Sequence, residues 1–150
     1  MSDPLSAQTR RVWAEIDLDA IAQNLTTIAR LVYPARVMAV VKADAYGHGA
    51  VAVARTVEAA GAAALGTSSV SEGLVLREAG VGLPIVVLGP APGEEEAALA
   101  ADLALTVVDE EGLRAAAETA RRLGAAARVH IKMDTGMTRL GIDPQALTTL

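Results

Sequence analysis

Short apolar runs begin near residues 13, 37, 62, 83, 104 and 127, an interval of 21 to 25 residues, and a helical pattern fills each gap. That rhythm is the period of a βα unit. Strands that alternate with helices pair in parallel, so the expected core is a parallel sheet with helices packed on it. Two architectures share the rhythm: a doubly wound open sheet, complete in about 150 residues, and a (β/α)8 barrel, which needs about 250. The last residues, Ala146-Leu-Thr-Thr-Leu150, open a further helix without a stop signal. The expectation is therefore an α/β chain of repeated βα units forming the first part of a (β/α)8 TIM barrel, truncated, with a doubly wound open α/β sheet as the alternative.

Residues 13–17 read as a first strand, and Leu18, Ile21, Leu25, Ile28 and Leu31 then step along one face of a helix that Pro34 ends. Residues 37–41 are apolar throughout and read as a strand buried on both faces, with Lys42 as its last residue. Val51, Ala54 and Val57 follow at helical spacing up to Gly61. A weak strand at 62–66 leads to Ser69-Val-Ser-Glu72, a capping-box pattern that opens a helix with Val70, Leu74 and Ala79 inward and Gly80 after it. Strands are expected at 83–88 and 104–108, separated by a Gly/Pro loop at 89–93 and an alanine-rich helix. Asp109 caps a helix with Leu113, Ala117, Ala120 and Leu123 inward and Gly124 as its stop, and residues 127–134 form the last strand.

The chemistry concentrates in two stretches. In the first, Lys42 ends a strand face otherwise made by Met38 and Val40, at the C-terminal end of the strand, where α/β folds place their sites. A lysine shielded from water gives up its proton more readily, and its amine becomes a nucleophile for imine chemistry. The plain alternative is a strand-end lysine whose ammonium reaches out to solvent. Composition bears on the choice: 11 of the 13 basic residues are Arg, and only Lys42 and Lys132 are Lys. Arginine cannot form an imine, so lysine in an arginine-writing chain points to amine chemistry.

The second stretch is Val129-His-Ile-Lys132-Met-Asp134-Thr-Gly-Met-Thr138-Arg139-Leu-Gly141. His130, Lys132 and Asp134 share one strand face, which is either wet at a sheet edge or turned to a barrel interior. In a barrel, Lys132, Asp134 and Arg139 are expected to bind one another or an anionic ligand. His130 reads as a satisfied interior histidine and His48 as a local hydrogen-bonding group, since no second ligand stands at metal spacing. Gly47-His-Gly49-Ala-Val-Ala52 matches a dinucleotide-binding glycine pattern, but Leu65-Gly-Thr-Ser-Ser69 lacks the acid that such a site needs.

The net charge of -5 offers no basic face to nucleic acid or anionic membrane, and the run Glu94-Glu95-Glu96 reads as a solvated first helical turn. Absence of cysteine excludes disulfides, and no signal peptide or membrane-length apolar run is present in these residues, so a cytoplasmic location is expected.

Three segments resemble the alanine racemases: Trp13 to Leu25, Val40 to Gly49, and Lys132 to Gly141. The eight residues Lys42-Ala-Asp-Ala-Tyr46-Gly-His-Gly49 match that family's cofactor-lysine motif throughout, while Thr138 stands where the family usually has Gly. The resemblance implies a pyridoxal 5'-phosphate enzyme built on a barrel followed by a β domain. On it, residues 1–17 are an N-terminal extension and first strand and residues 18–150 a partial barrel, the remaining barrel and the C-terminal β domain lying outside this chain. Lys42 would hold pyridoxal phosphate as an imine and act as the base on one face of the substrate. Tyr46 would bind the cofactor phosphate. Arg139 would reach the cofactor's phenolic oxygen and the substrate carboxylate, and Lys132 would be the lysine that many members carry as a carbamate; unmodified, it would pair with Asp134. The implied activity is interconversion of L- and D-alanine for peptidoglycan, by a homodimer. The second acid-base group would lie in the partner's C-terminal domain, so 150 residues alone are expected to be inactive. The competing readings are a non-catalytic pyridoxal-phosphate-binding barrel concerned with cofactor handling, and a barrel-type decarboxylase of basic amino acids.

Overall fold

In the computed structural model, which describes residues 12–145, five parallel strands lie side by side in chain order. They are β1 (Met38–Val40), β2 (Ala64–Thr67), β3 (Ile85–Val87), β4 (Leu103–Val107) and β5 (Val129–Ile131). A doubly wound sheet reverses its strand order at a switch point. Here the order never reverses, so the succession is that of a barrel wall. The helices are α1 (Leu18–Val32), α2 (Lys42–Gly47), α3 (Ala50–Ala59), α4 (Val70–Glu78), α5 (Glu95–Ala100) and α6 (Glu110–Leu123).

Local chemistry sets the helix ends. The side chains of Asp17, Ser69 and Asp109 accept from the amides of Ala20, Glu72 and Gly112 at 2.9, 3.3 and 2.8 Å, filling donors that a first turn leaves unpaired. Gly124 ends α6 in the left-handed region, φ 62°, as its place after the apolar pattern predicts. Glu95 and Glu96 stand in the first turn of α5, Glu96 exposed and Glu95 partly buried.

Register divides the sheet into two faces. Ala39, Leu65, Ile85 and Leu103 are paired across four strands, and two residues on Thr67, Val87, Leu105 and Val129 form the next row of the same face. This face packs on Leu25, Val53, Ala54, Val57, Val70, Leu76 and Ala98 of the helices to make the core. Val40, Gly66, Val86 and Ala104 line the opposite face.

Some expectations fail for physical reasons. Residues 12–17 form no strand, because among the described residues β1 pairs with β2 alone; Trp13 is 74% exposed. The β1 segment is not buried on both faces: Val41 is 1% exposed, but Met38 and Val40 are 37% and 40% exposed on the side that carries no helices. In α4 Val70, Gly73 and Leu76 are buried, Leu74 is partly buried and packs against the core as expected, and Ala79 is the C-cap; Gly73 is inward because a Cβ there would come within 2.7 Å of Leu103 and the bare backbone packs instead. In α6, Ala116 and Ala120 enter the core and Leu123 is exposed.

The loops at the N-terminal ends of the strands are tied together by charged groups. Arg77 donates to the carbonyls of Val81, Leu83, Ala101 and Asp102 at 2.8, 2.7, 3.0 and 3.1 Å. A Glu58 oxygen accepts from the amides of Gly82 and Leu83 at 2.9 and 3.1 Å, and Arg128 pairs with Asp102 at 2.7 Å.

Candidate active site

The sequence expectation of a strand ending in Lys42 and a loose glycine loop is replaced by a more constrained arrangement. Strand β1 stops at Val40, Val41 donates to Gly66, and Lys42 opens α2. Ala43, Asp44, Ala45 and Tyr46 then all take left-handed angles, φ 50 to 56° and ψ 36 to 54°, so α2 is a single left-handed turn. In an L-residue chain such geometry costs roughly 1–2 kcal/mol per residue, and successive residues rarely adopt it.

Hydrogen bonds hold the turn. The Ala45 amide donates to Val41 at 2.9 Å, Gly49 to the Asp44 carbonyl at 3.0 Å, and the first amide of α3, Ala50, to the Asp44 carboxylate at 2.7 Å. His48 Nδ1 lies 2.9 Å from the Ala45 carbonyl, which fixes it as the protonated nitrogen and bears out the local role read for this histidine. From outside the turn, Glu72 Oε1 accepts from the Ala43 amide at 2.7 Å while its Oε2 accepts from the Ser68 amide and hydroxyl at 2.7 and 2.8 Å. Burial pushes the Glu72 carboxyl up, but the Ser68 amide, the Ala43 amide and the Ser68 hydroxyl outweigh it and hold the group below its ordinary value. A cavity of about 200 Å³, lined by Val41, Asp44, Thr67, Glu72 and Leu76 among others, lies behind the turn.

Lys42 is half-buried, its Nζ 6.0 Å from the centre of the Tyr46 ring, at the outer limit of a cation–π contact. Tyr46 is 61% exposed. The structure thus brings Lys42 and Tyr46 together.

The second segment lies across the sheet, with three strands between β1 and β5. His130 pairs in register with Thr106, on the same sheet face as Val40, yet it is exposed and its imidazole makes no hydrogen bond among the described residues, contrary to the satisfied interior histidine expected. Lys132, Asp134 and Arg139 do not bind one another. The Asp134 carboxylate instead accepts from the amides of Thr138 and Gly136 at 2.9 and 3.0 Å, and these bonds hold it below its ordinary value, with the charge of Lys132 a minor contributor. Asp134 is therefore a loop-shaping group. The loop closes where Ile142 pairs with Met133, and Gly141 is required there because a Cβ would come within 2.6 Å of the Asp134 amide. Thr138 sits at φ 55°, a left-handed angle that glycine adopts freely and a β-branched residue does not. Among the described residues, the Lys132 ammonium and the Arg139 guanidinium make no hydrogen bond or ion pair. A depression of about 560 Å³ lies over the end of β4 and reaches this loop through Leu140.

Residues 16–150 match the family described as "Alanine racemase, N-terminal domain". The chain belongs to this family. It is 48% identical over 136 residues to the alanine racemase of Symbiobacterium thermophilum, covering 90% of this chain and 36% of the relative, and 47% identical over 139 residues to that of Cutibacterium acnes, covering 91% and 37%. The fold superposes on the alanine racemase of Clostridium difficile 630 with a TM-score of 0.86 at 40% identity, over 91% of this chain and 36% of that one. The alanine racemase of Bacillus anthracis "with bound L-Ala-P" gives 0.81 at 40% identity, again over 91% and 36%. The chain thus spans about a third of these relatives and matches the N-terminal barrel part of alanine racemase structures.

Within this alanine racemase domain, sequence reasoning missed two residues of the Lys42 environment, Asp44 and Glu72. The capping-box pattern did single out Glu72, but as a local cap. Half of that box forms, with Ser69 receiving the Glu72 amide, while the carboxylate reaches past the helix to Ala43.

Proposed function

We propose that this chain is the lysine-bearing part of a pyridoxal 5'-phosphate-dependent alanine racemase, which interconverts L- and D-alanine and supplies D-alanine for peptidoglycan. The observation that carries the reading is Lys42 on its clamped turn beside Tyr46, at the C-terminal end of a barrel strand in a member of this family. The residues present fit the cofactor: a lysine amine, a tyrosine hydroxyl, and the two cationic donors Arg139 and Lys132, which no protein group occupies among the described residues. When bound, pyridoxal phosphate supplies a ring that delocalises the charge left when an α-proton departs.

The chain's own residues divide the remaining work. Lys42 holds the cofactor and, with its amine free, takes or returns the proton at Cα on one face of alanine. The Tyr46 hydroxyl donates to the phosphate. Arg139 presents its planar fork to the substrate carboxylate and to the cofactor's phenolic oxygen. Lys132 is the candidate for carbamylation, which would turn a cation into an anionic partner for Arg139. Inversion needs a second acid-base group on the opposite face, which we assign to a partner subunit of a homodimer. Residues 1–17 then precede a partial barrel formed by 18–150, and these 150 residues alone do not racemise alanine. Among the described residues no helix is long and apolar enough to cross a membrane, in keeping with a cytoplasmic enzyme.

The test is incubation of the protein with pyridoxal phosphate and borohydride, followed by peptide mapping, alongside an alanine racemisation assay. An adduct confined to Lys42 and turnover by the full-length protein are expected. An adduct spread over surface lysines, or carbon dioxide release in place of racemisation, would overturn the reading.

A further inference from the structure

The left-handed turn of α2 is closed on itself by Asp44, Gly49 and His48, but those bonds lie within the segment 42–50 and do not aim it. A backbone in this region persists only where its surroundings over-determine it. Only one side chain from another element bonds the turn among the described residues, and it bonds the amide that directly follows Lys42. We propose that Glu72 is a positioning residue for Lys42, fixing the direction in which the lysine side chain leaves the backbone by bridging the Ala43 amide to Ser68. The inference rests on the reading of Lys42 as the site's working amine.

Three observations converge on it. The two carboxylate oxygens divide between two loops, Oε1 on the segment after β1 and Oε2 on the amide and hydroxyl of the segment after β2, so the bridge sets the spacing of two strand ends. Its own base is rigid. Helix α4 is capped by Ser69, packed by bare Gly73 against Leu103, and held at its far end by the four carbonyls that Arg77 binds. Finally, Glu72 forms no ion pair among the described residues, so its charge serves backbone donors and not the lysine. Glutamine would be a poor substitute, because it offers one acceptor oxygen and an NH2 group to two loops that both present donors.

The experiment is trace acetylation with acetic anhydride of the full-length protein, first freed of cofactor with hydroxylamine so that the Lys42 amine is exposed, the Lys42 peptide being quantified by mass against the average of the other lysine peptides, with melting temperature recorded for each variant. Glu72→Gln is expected to change the relative Lys42 reactivity by about tenfold, the factor carried by one hydrogen bond to a charged group, and Ser68→Ala by about threefold in the same direction. Asp109→Ala, which removes an N-cap remote from Lys42, lowers the melting temperature without moving the ratio. A purely structural Glu72 would behave as Asp109 does. A ratio within about twofold of wild type in Glu72→Gln overturns the proposal, and if that variant does not fold, an unchanged ratio in Ser68→Ala overturns it equally. Absence of a pyridoxal-phosphate adduct at Lys42 in the wild type strikes the functional reading instead, leaving the acetylation ratio to decide the role of Glu72.

Discussion

The two ends of the sheet use the same kinds of charged residue in opposite ways. At the N-terminal ends of the strands, Arg77 gives its donors to four carbonyls, Glu58 accepts two amides and Arg128 pairs with Asp102. At the C-terminal ends the acids Asp44, Glu72 and Asp134 are occupied by backbone amides, while Lys132 and Arg139 have no protein partner among the described residues and Lys42 has only the Tyr46 ring. Satisfied charges make one end a scaffold. Cationic donors left over at the other end make it receptive to an anion such as a phosphate or a carboxylate, the division expected of barrel enzymes.

The largest effect should come from Lys42→Arg, which keeps the charge and removes the deprotonable amine. Racemisation by the full-length protein should fall by at least about 10³-fold with the melting temperature nearly unchanged. Activity within tenfold of wild type would place the working amine elsewhere and erase the contrast. Next, Arg77→Ala should cost about 3 kcal/mol in urea unfolding by leaving several carbonyls without their charged donor, whereas Arg139→Ala should stay within about 0.5 kcal/mol. Equal costs for the two arginines would mean that both ends are scaffold.

Acid should act on the receptive end through Glu72. Its folded-state value lies below the ordinary 4.5, so its contribution is fully present above that pH and is lost as pH falls through the lower folded value. Protection of the Ala43 amide, the slowing of its exchange relative to an unprotected amide at the same pH, should fall in that window in the wild type; in Glu72→Gln it should already be low at neutral pH and show no further acid step. The smallest effect is expected of Thr138→Gly, which should stabilise by roughly 0.5–1 kcal/mol by relieving a left-handed angle in a β-branched residue. A loss of stability would show that the Thr138 side chain does more for the loop than its backbone angle takes away.

Much of the scaffold was legible because its signals are local. The strand period, the caps at Ser69 and Asp109, and the stop at Gly124 each depend on a few neighbouring residues. The inward face of α4 was legible only in part, at Val70 and Leu74, since a glycine packed on Leu103 carries no hydropathy signal. Residues 13–17 looked like a strand because a pattern cannot say whether a neighbour exists to pair with. At the site, Lys42, Lys132 and Arg139 were picked out by residue type and Tyr46 by the family resemblance, but the handedness of the turn was invisible, because Ala43, Ala45 and Tyr46 do not prefer those angles and adopt them under a set of local bonds and one from the distant Glu72. Glu72 was noticed for its near partner and missed for its far one.

The turn after Lys42 also has a stereochemical consequence. From Ala43 to Tyr46 the backbone follows the dihedral angles that D-amino acids prefer, the mirror image of an ordinary helical turn. A semisynthetic chain with D-alanine at position 43 or 45 would therefore relax, not break, this segment, so a domain of the alanine racemase family contains, next to its candidate catalytic lysine, a stretch of main chain better suited to the opposite hand.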